Sequence, residues 1–108
     1  MSSFITSDGS SINYRIIGKG KPIVFIHGWS VDHKIWFNKI ESIKGKWKKC
    51  YQRIYFDLPG MGKSVAARSI TNSDDMQRNI EEFLSTIITT NQYLVAGESY
   101  GGYLARGL

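Results

Sequence analysis

Residues 97–101 read Gly97-Glu98-Ser99-Tyr100-Gly101, a G-x-S-x-G pattern. It follows the apolar run Tyr93-Leu94-Val95-Ala96 and precedes Tyr103, Leu104 and Ala105, which suit a helix. A strand that turns straight into a helix forces its central residue into a strained backbone conformation. It also brings the residues two before and two after that centre so close that side chains there would clash. Gly97 and Gly101 relieve the crowding and leave the Ser99 hydroxyl projecting at the apex. The chemistry implied is nucleophilic attack by Ser99, with the Tyr100 N–H and the helix start aimed at the developing oxyanion. The bland alternative is a glycine-rich turn carrying a solvated serine.

Two further segments follow apolar runs in the same way. His27-Gly28-Trp29-Ser30 comes after Ile23–Ile26, and Asp57-Leu-Pro-Gly-Met-Gly-Lys-Ser64 comes after Ile54–Phe56. Open parallel sheets bind ligands beyond the carboxyl ends of their strands, so all three segments are expected on one rim. Gly62-Lys63-Ser64 also matches the end of a phosphate-binding loop. The first glycine of that loop is replaced by Asp57, which puts negative charge where phosphate must sit, so nucleotide binding is the lesser reading. No grouping of His, Cys and carboxylates has ligand spacing, and neither metal nor cofactor is expected.

The elements that must hold these segments follow from the pattern of apolar residues. Phe4–Ser7 and Ser11–Ile17 are expected as an antiparallel pair around Asp8-Gly9, with Ile12, Tyr14 and Ile16 on one face. The runs at 23–26, 54–56 and 93–96 are short and continuously apolar, as strands covered on both sides are. Met76, Ile80, Phe83, Leu84, Ile87 and Ile88 recur at helical spacing after a polar start at Asn72-Ser73, with Asp74 and Asp75 favourably placed against the dipole. Ser30 is expected to cap another helix carrying Ile35, Trp36, Ile40 and Ile43, ended by Gly45. Strand and helix therefore alternate, which predicts an α/β fold with a mostly parallel sheet and right-handed crossovers.

Composition bounds what such a chain can be. Its 108 residues suit one domain or a piece of one; 42% are apolar and 21% charged, which excludes a disordered tail. Fourteen Lys and Arg outnumber nine Asp and Glu, a net +5. Much of the excess lies in Lys44-Gly-Lys-Trp-Lys-Lys49 with Arg53 nearby, a helix-to-strand connection expected to be solvated, so no nucleic-acid partner is expected. The single cysteine, Cys50, cannot pair within the chain, and the N-terminus lacks a signal-peptide pattern. With no apolar stretch of membrane-spanning length, a cytoplasmic, non-membrane location is expected.

Taken together, the three strand-end segments make the chain similar to the α/β-hydrolase family, in the family's order and over almost the whole length. The resemblance implies that Ser99 is the nucleophile and that the backbone N–H groups of Trp29 and Tyr100 form the oxyanion hole. It implies a structural role for His27, an architectural one for the loop from Asp57 to Ser64, and a small-molecule substrate with an ester-like or other acyl carbonyl. The glycine run of the His-Gly-Gly-Gly esterases is absent. The serine at the elbow disfavours the aspartate-using haloalkane dehalogenases and epoxide hydrolases.

Family order places an acid and a histidine after the serine, and residues 100–108 contain neither. His33, at the start of the first helix, is expected to be solvated. Residues 1–108 thus read as the N-terminal part of a single α/β-hydrolase domain, inactive alone, exposing an unpaired edge beside the strand at 93–96. Such a chain either pairs with a C-terminal half or self-associates. The alternative function is a non-catalytic remnant that works by association.

Overall fold

The computed structural model describes residues 2–90 and 92–108. A hairpin of β1 (Ser2–Ile5) and β2 (Ser11–Ile17) opens the chain and β3 (Lys21–Ile26) follows. Helix α1 (Lys34–Ser42) and a short 3-10 helix (Lys46–Cys50) lead to β4 (Tyr51–Phe56). Helix α2 (Ser73–Ile87), β5 (Leu94–Gly97) and α3 (Tyr100–Arg106) complete the described elements. The five strands form one sheet in the order β1-β2-β4-β3-β5. Strands β4, β3 and β5 run parallel, whereas β1 and β2 are antiparallel additions at one side.

This order positions the site. From β3 the chain crosses to β4 on one side, then returns past β3 to β5 on the other. Two right-handed crossovers in opposite directions must lie on opposite faces of the sheet. Helix α1 accordingly covers one face, where Trp36 and Phe37 meet Phe25 and Tyr55. On the other face Met76, Ile80, Phe83 and Leu84 of α2 pack with Ile12, Val24, Ile26, Ile54 and Phe56. Leu104 of α3 joins the same core. The reversal of direction at β3 leaves a crevice at the carboxyl ends of β3 and β5.

Expectation and structure agree on the β2 span, the helix from Ser73 and the three parallel strands, and differ at instructive places. Asn72 caps α2 through its side chain, which accepts the Asp75 N–H at 2.9 Å. Ser30 caps nothing: α1 begins four residues later, and Ser30 sits in the left-handed region at φ 64. The α1 stripe is only half-buried, and Ile43 lies beyond the helix and 48% exposed. Strand β5 is not covered on both sides, because it is the edge of the described sheet; Leu94 is 45% exposed.

Arg53 departs most from the sequence reading. It is buried in β4 rather than solvated, and its guanidinium meets the Glu41 carboxylate at 2.6 Å while donating to the carbonyls of Lys48 and Tyr51. Glu41 also accepts the Tyr55 hydroxyl at 2.5 Å. The positive charge of this connection is partly spent inside the fold, tying α1 and the 3-10 helix to β4. Replacing Asn72 with Ala removes the cap of α2 and is expected to lower stability by about 1 kcal/mol. Urea unfolding monitored by circular dichroism checks this, and an unchanged midpoint would contradict the assigned cap.

Candidate active site

The elbow at the end of β5 has the geometry that its sequence requires. Ser99 takes φ 54 and ψ −116, is exposed, and is one of two non-glycine residues with positive φ among the described residues. The two glycines matter for space. A Cβ on Gly97 would lie 2.4 Å from the Gly101 carbonyl oxygen. A Cβ on Gly101 would lie 2.2 Å from the oxygen of Ile26 and 2.5 Å from that of His27. Gly101 therefore serves the contact with the end of β3 more than any crowding within the turn. Gly102, by contrast, has room for a side chain, its nearest neighbour lying at 3.5 Å.

The loop leaving β3 passes directly against the elbow. A Cβ on Gly28 would sit 3.5 Å from the Ser99 Cβ, and the Glu98 N–H donates to the Ile26 carbonyl at 3.2 Å. The indole of Trp29 meets the Tyr100 ring edge-on with centroids 5.5 Å apart. Neither the Trp29 nor the Tyr100 amide has a protein acceptor among the described residues, so both N–H groups remain available. The Ser99 hydroxyl likewise has no hydrogen-bond partner among them.

His27 is fully buried and joins two loops. Its Nδ1 bonds the Gly28 carbonyl at 2.6 Å, and its Nε2 accepts the Leu58 N–H at 2.9 Å. That pairing requires the neutral ring with the proton on Nδ1. Burial pushes the imidazole below its ordinary value of 6.5, against the opposing pull of the Gly28 carbonyl and the Asp57 charge. His27 is thus committed to structure and faces no nucleophile.

His33 is buried, not solvated as its position in the sequence suggested. Its backbone N–H and its Nδ1 both meet Asp57 Oδ1 at 2.8 Å. Asp57 Oδ2 accepts the side-chain amide of Asn13 at 2.9 Å and the Lys63 N–H at 3.0 Å. Burial alone would raise the Asp57 pKa; the donors from Asn13, His33 and Lys63 outweigh it and hold the carboxyl below 3.8. Ser64 closes the arrangement, donating to the Asp57 carbonyl at 2.6 Å and accepting the Asn13 N–H at 2.8 Å.

This brace bears on two sequence readings. The loop at 57–64 curls around its own carboxylate, so the amide a phosphate would need at Lys63 is already taken. Asp32, His33 and Asp57 do bring potential ligand atoms within 4.8 Å of one another. Donors from His33, Asn13 and Lys63 meet both Asp57 oxygens and tie this part of the cluster together by hydrogen bonds. Sequence reasoning missed Asn13 and His33. Asn13, a polar residue flanked by Ile12 and Tyr14 in a strand, was the available signal; His33 offered none.

The mixed sheet, with a sharp strand–turn–helix at the end of β5 and the β3 loop seated against it, defines an α/β-hydrolase architecture. The model of the alpha/beta hydrolase family matches residues 23–107, and the chain belongs to that family. Among characterised relatives, it is 31% identical over 101 residues to the non-heme chloroperoxidase CPO-A1 of Kitasatospora aureofaciens, covering 94% of this chain and 36% of that protein. An α/β superfamily hydrolase from Oenococcus oeni superposes with TM-score 0.83 at 38% identity, over 99% of this chain and 38% of its own. The esterase EaEST of Exiguobacterium antarcticum gives TM-score 0.82 at 28% identity, over 96% and 37% respectively. The chain therefore spans little more than a third of the length of these relatives.

Two outcomes follow. Gly101→Ala is expected to cost about 3 kcal/mol by driving a methyl group into the β3 carbonyls, whereas Gly102→Ala is expected to stabilise α3 by up to about 1 kcal/mol. Equal urea midpoints for the two variants would contradict the close approach. For pH, a histidine held neutral in the fold contributes stability that is complete above 6.5 and lost as pH falls toward its depressed value. The urea midpoint of the parent is expected to fall as pH drops below 6.5, and the His27→Gln variant to lack that limb. A flat parent profile there would refute it.

Proposed function

We propose that the chain carries the nucleophile and oxyanion hole of a serine hydrolase acting on an ester-like or other acyl carbonyl. The observation that supports this best is the strained, exposed conformation of Ser99 between two glycines that cannot accept a side chain. Backbone strain of this kind costs about 1–3 kcal/mol and persists where the surrounding structure enforces it. Here the close backbone approaches at Gly97 and Gly101 flank it. The occurrence of an esterase among the structural relatives agrees with the same chemistry.

In this mechanism the Ser99 hydroxyl attacks the carbonyl carbon while a general base takes its proton. The N–H groups of Trp29 and Tyr100 hold the resulting oxyanion. Collapse of the tetrahedral intermediate expels the leaving alcohol, which regains a proton, and water then cleaves the acyl-serine. His27 has both ring nitrogens bonded, and His33 is buried against Asp57 through Nδ1, so neither is assigned as the base. The base and its acid are supplied by sequence outside these 108 residues, by family order an acid and then a histidine. A substrate-free role through association is the competing reading, favoured by the unpartnered Ser99 hydroxyl and the open edge of β5.

A fluorophosphonate probe and intact-mass analysis of the natural gene product decide between them. Stoichiometric modification is expected, mapping to Ser99 and abolished in Ser99→Ala. Absence of modification in that product would refute the catalytic reading.

A further inference from the structure

Away from the elbow, α2 and the β1–β2 turn border a cavity of about 560 Å³ whose lining is acidic, although the chain as a whole carries a net +5. The carboxylates of Asp8, Asp75, Glu81 and Glu82 line it against the single guanidinium of Arg78. Arg78 pairs with Asp75. Asp8 and Glu82 meet only neutral donors. Glu82 accepts the Ser7 N–H and hydroxyl, each at 2.7 Å, and Asp8 accepts the Thr6 hydroxyl and, at 3.0 Å, the Ser10 N–H. The Thr6 and Asn79 donors hold the Asp8 carboxyl well below its ordinary value of 3.8, so it stays ionised. Glu81 is exposed and enters none of the ion pairs among the described residues.

Asn79 stands on the same face of α2, four residues after Asp75 and three before Glu82. It lines the cavity while only 5% exposed. Its side-chain nitrogen donates to Asp8 Oδ2 at 2.8 Å and to the Asp75 carbonyl at 3.3 Å. A carboxylate only accepts, so the amide cannot be turned round, and the atom left without a partner is its oxygen. A buried acceptor with no donor is costly. A ligand bringing N–H donors and positive charge satisfies that oxygen and the unpaired carboxylates together.

We propose that this cavity binds a linear aliphatic polyamine, whose ammonium groups meet Asp8, Glu81 and Glu82 and donate to Asn79 Oδ1. The spread of the carboxylates selects that class over a bare ion. Among the described residues the one group of three His, Cys or carboxylate side chains placed to hold a metal is Asp32, His33 and Asp57, elsewhere in the fold. A divalent cation needs several oxygens converging on one point, and the carboxylates of this cavity do not converge in that way. Ammonium groups separated by methylenes suit carboxylates set apart, and the volume lies in the range of small-molecule sites. The site is independent of Ser99 and of any reaction there.

The test is isothermal titration calorimetry of the protein with spermidine at about 0.15 M salt, where loosely gathered counterions are screened. Saturable binding is expected. Glu81→Gln/Glu82→Gln keeps the side-chain shapes, removes both charges and is expected to raise the dissociation constant at least about tenfold. Hexamethonium, a bis-cation without N–H donors, is expected to bind the parent at least about tenfold more weakly than spermidine, and Asn79→Leu to lose that preference. No saturable heat with spermidine overturns the proposal, as does an unchanged constant in the double variant, equal binding of hexamethonium, or displacement of spermidine by an equimolar magnesium salt.

Amide NMR of the parent gives a readout that needs no variant to fold. The Ser7 amide, whose acceptor is Glu82, and the side-chain amide of Asn79 are expected to shift with spermidine while the amides of Trp29 and Tyr100 stay in place. Shifts at the elbow without shifts at Ser7 and Asn79 overturn the assignment to this cavity.

Discussion

The contact on which the site depends is one of backbone against backbone. Gly101, at the start of α3, lies so close to the carbonyls of Ile26 and His27 that no side chain fits between them. That approach seats the β5 elbow on the end of β3, and the Glu98 N–H bond to Ile26 fixes its height. Once seated, the turn that carries Ser99 is fixed at both glycines, since neither Gly97 nor Gly101 has room for a side chain. The positive φ of the serine is therefore a product of sheet order. Strand β3 stands between β4 and β5, and only the reversal of chain direction at that strand brings the two loops together.

A second layer holds the rim steady without touching the serine. His27 links the β3 exit to the β4 exit through both ring nitrogens. Asp57 gathers donors from β2, from the start of α1 and from its own loop, as a buried carboxylate must to stay ionised. A buried, fully bonded carboxylate is costly to break and adds little over an apolar replacement, so its value lies in specifying one arrangement of three loops. At the opposite end of the sheet, Glu41 plays the matching part for Arg53 and Tyr55.

Much of this was legible in the residues. The G-x-S-x-G pattern, the apolar runs and the Asn72 start of α2 are local signals, each set by spacing or by a capping side chain. The misread features are those that distant partners decide. Nothing local marks His33 as buried; Asp57, 24 positions away, makes it so. Arg53 reads as one more cation of a basic stretch until Glu41 is brought beneath it by packing of α1. The bend at Ser30 escaped as well: a serine before a helical pattern is ordinarily a cap, but Ser30 sits in the left-handed region four residues before α1 begins. The glycines were read for the right property, lack of a side chain, yet the neighbour that demands it at Gly101 belongs to β3.

The Ile26 carbonyl also accepts the indole N–H of Trp36 from α1, on the far face of the sheet, at 3.0 Å. One main-chain oxygen thus joins both layers of helices to the turn that bears the serine. No exchange of side chain at position 26 can delete an oxygen that every amino acid supplies. Such an anchor tolerates drift in side-chain identity, whereas inserting or deleting one residue in β3 would move it out of reach of both donors at once.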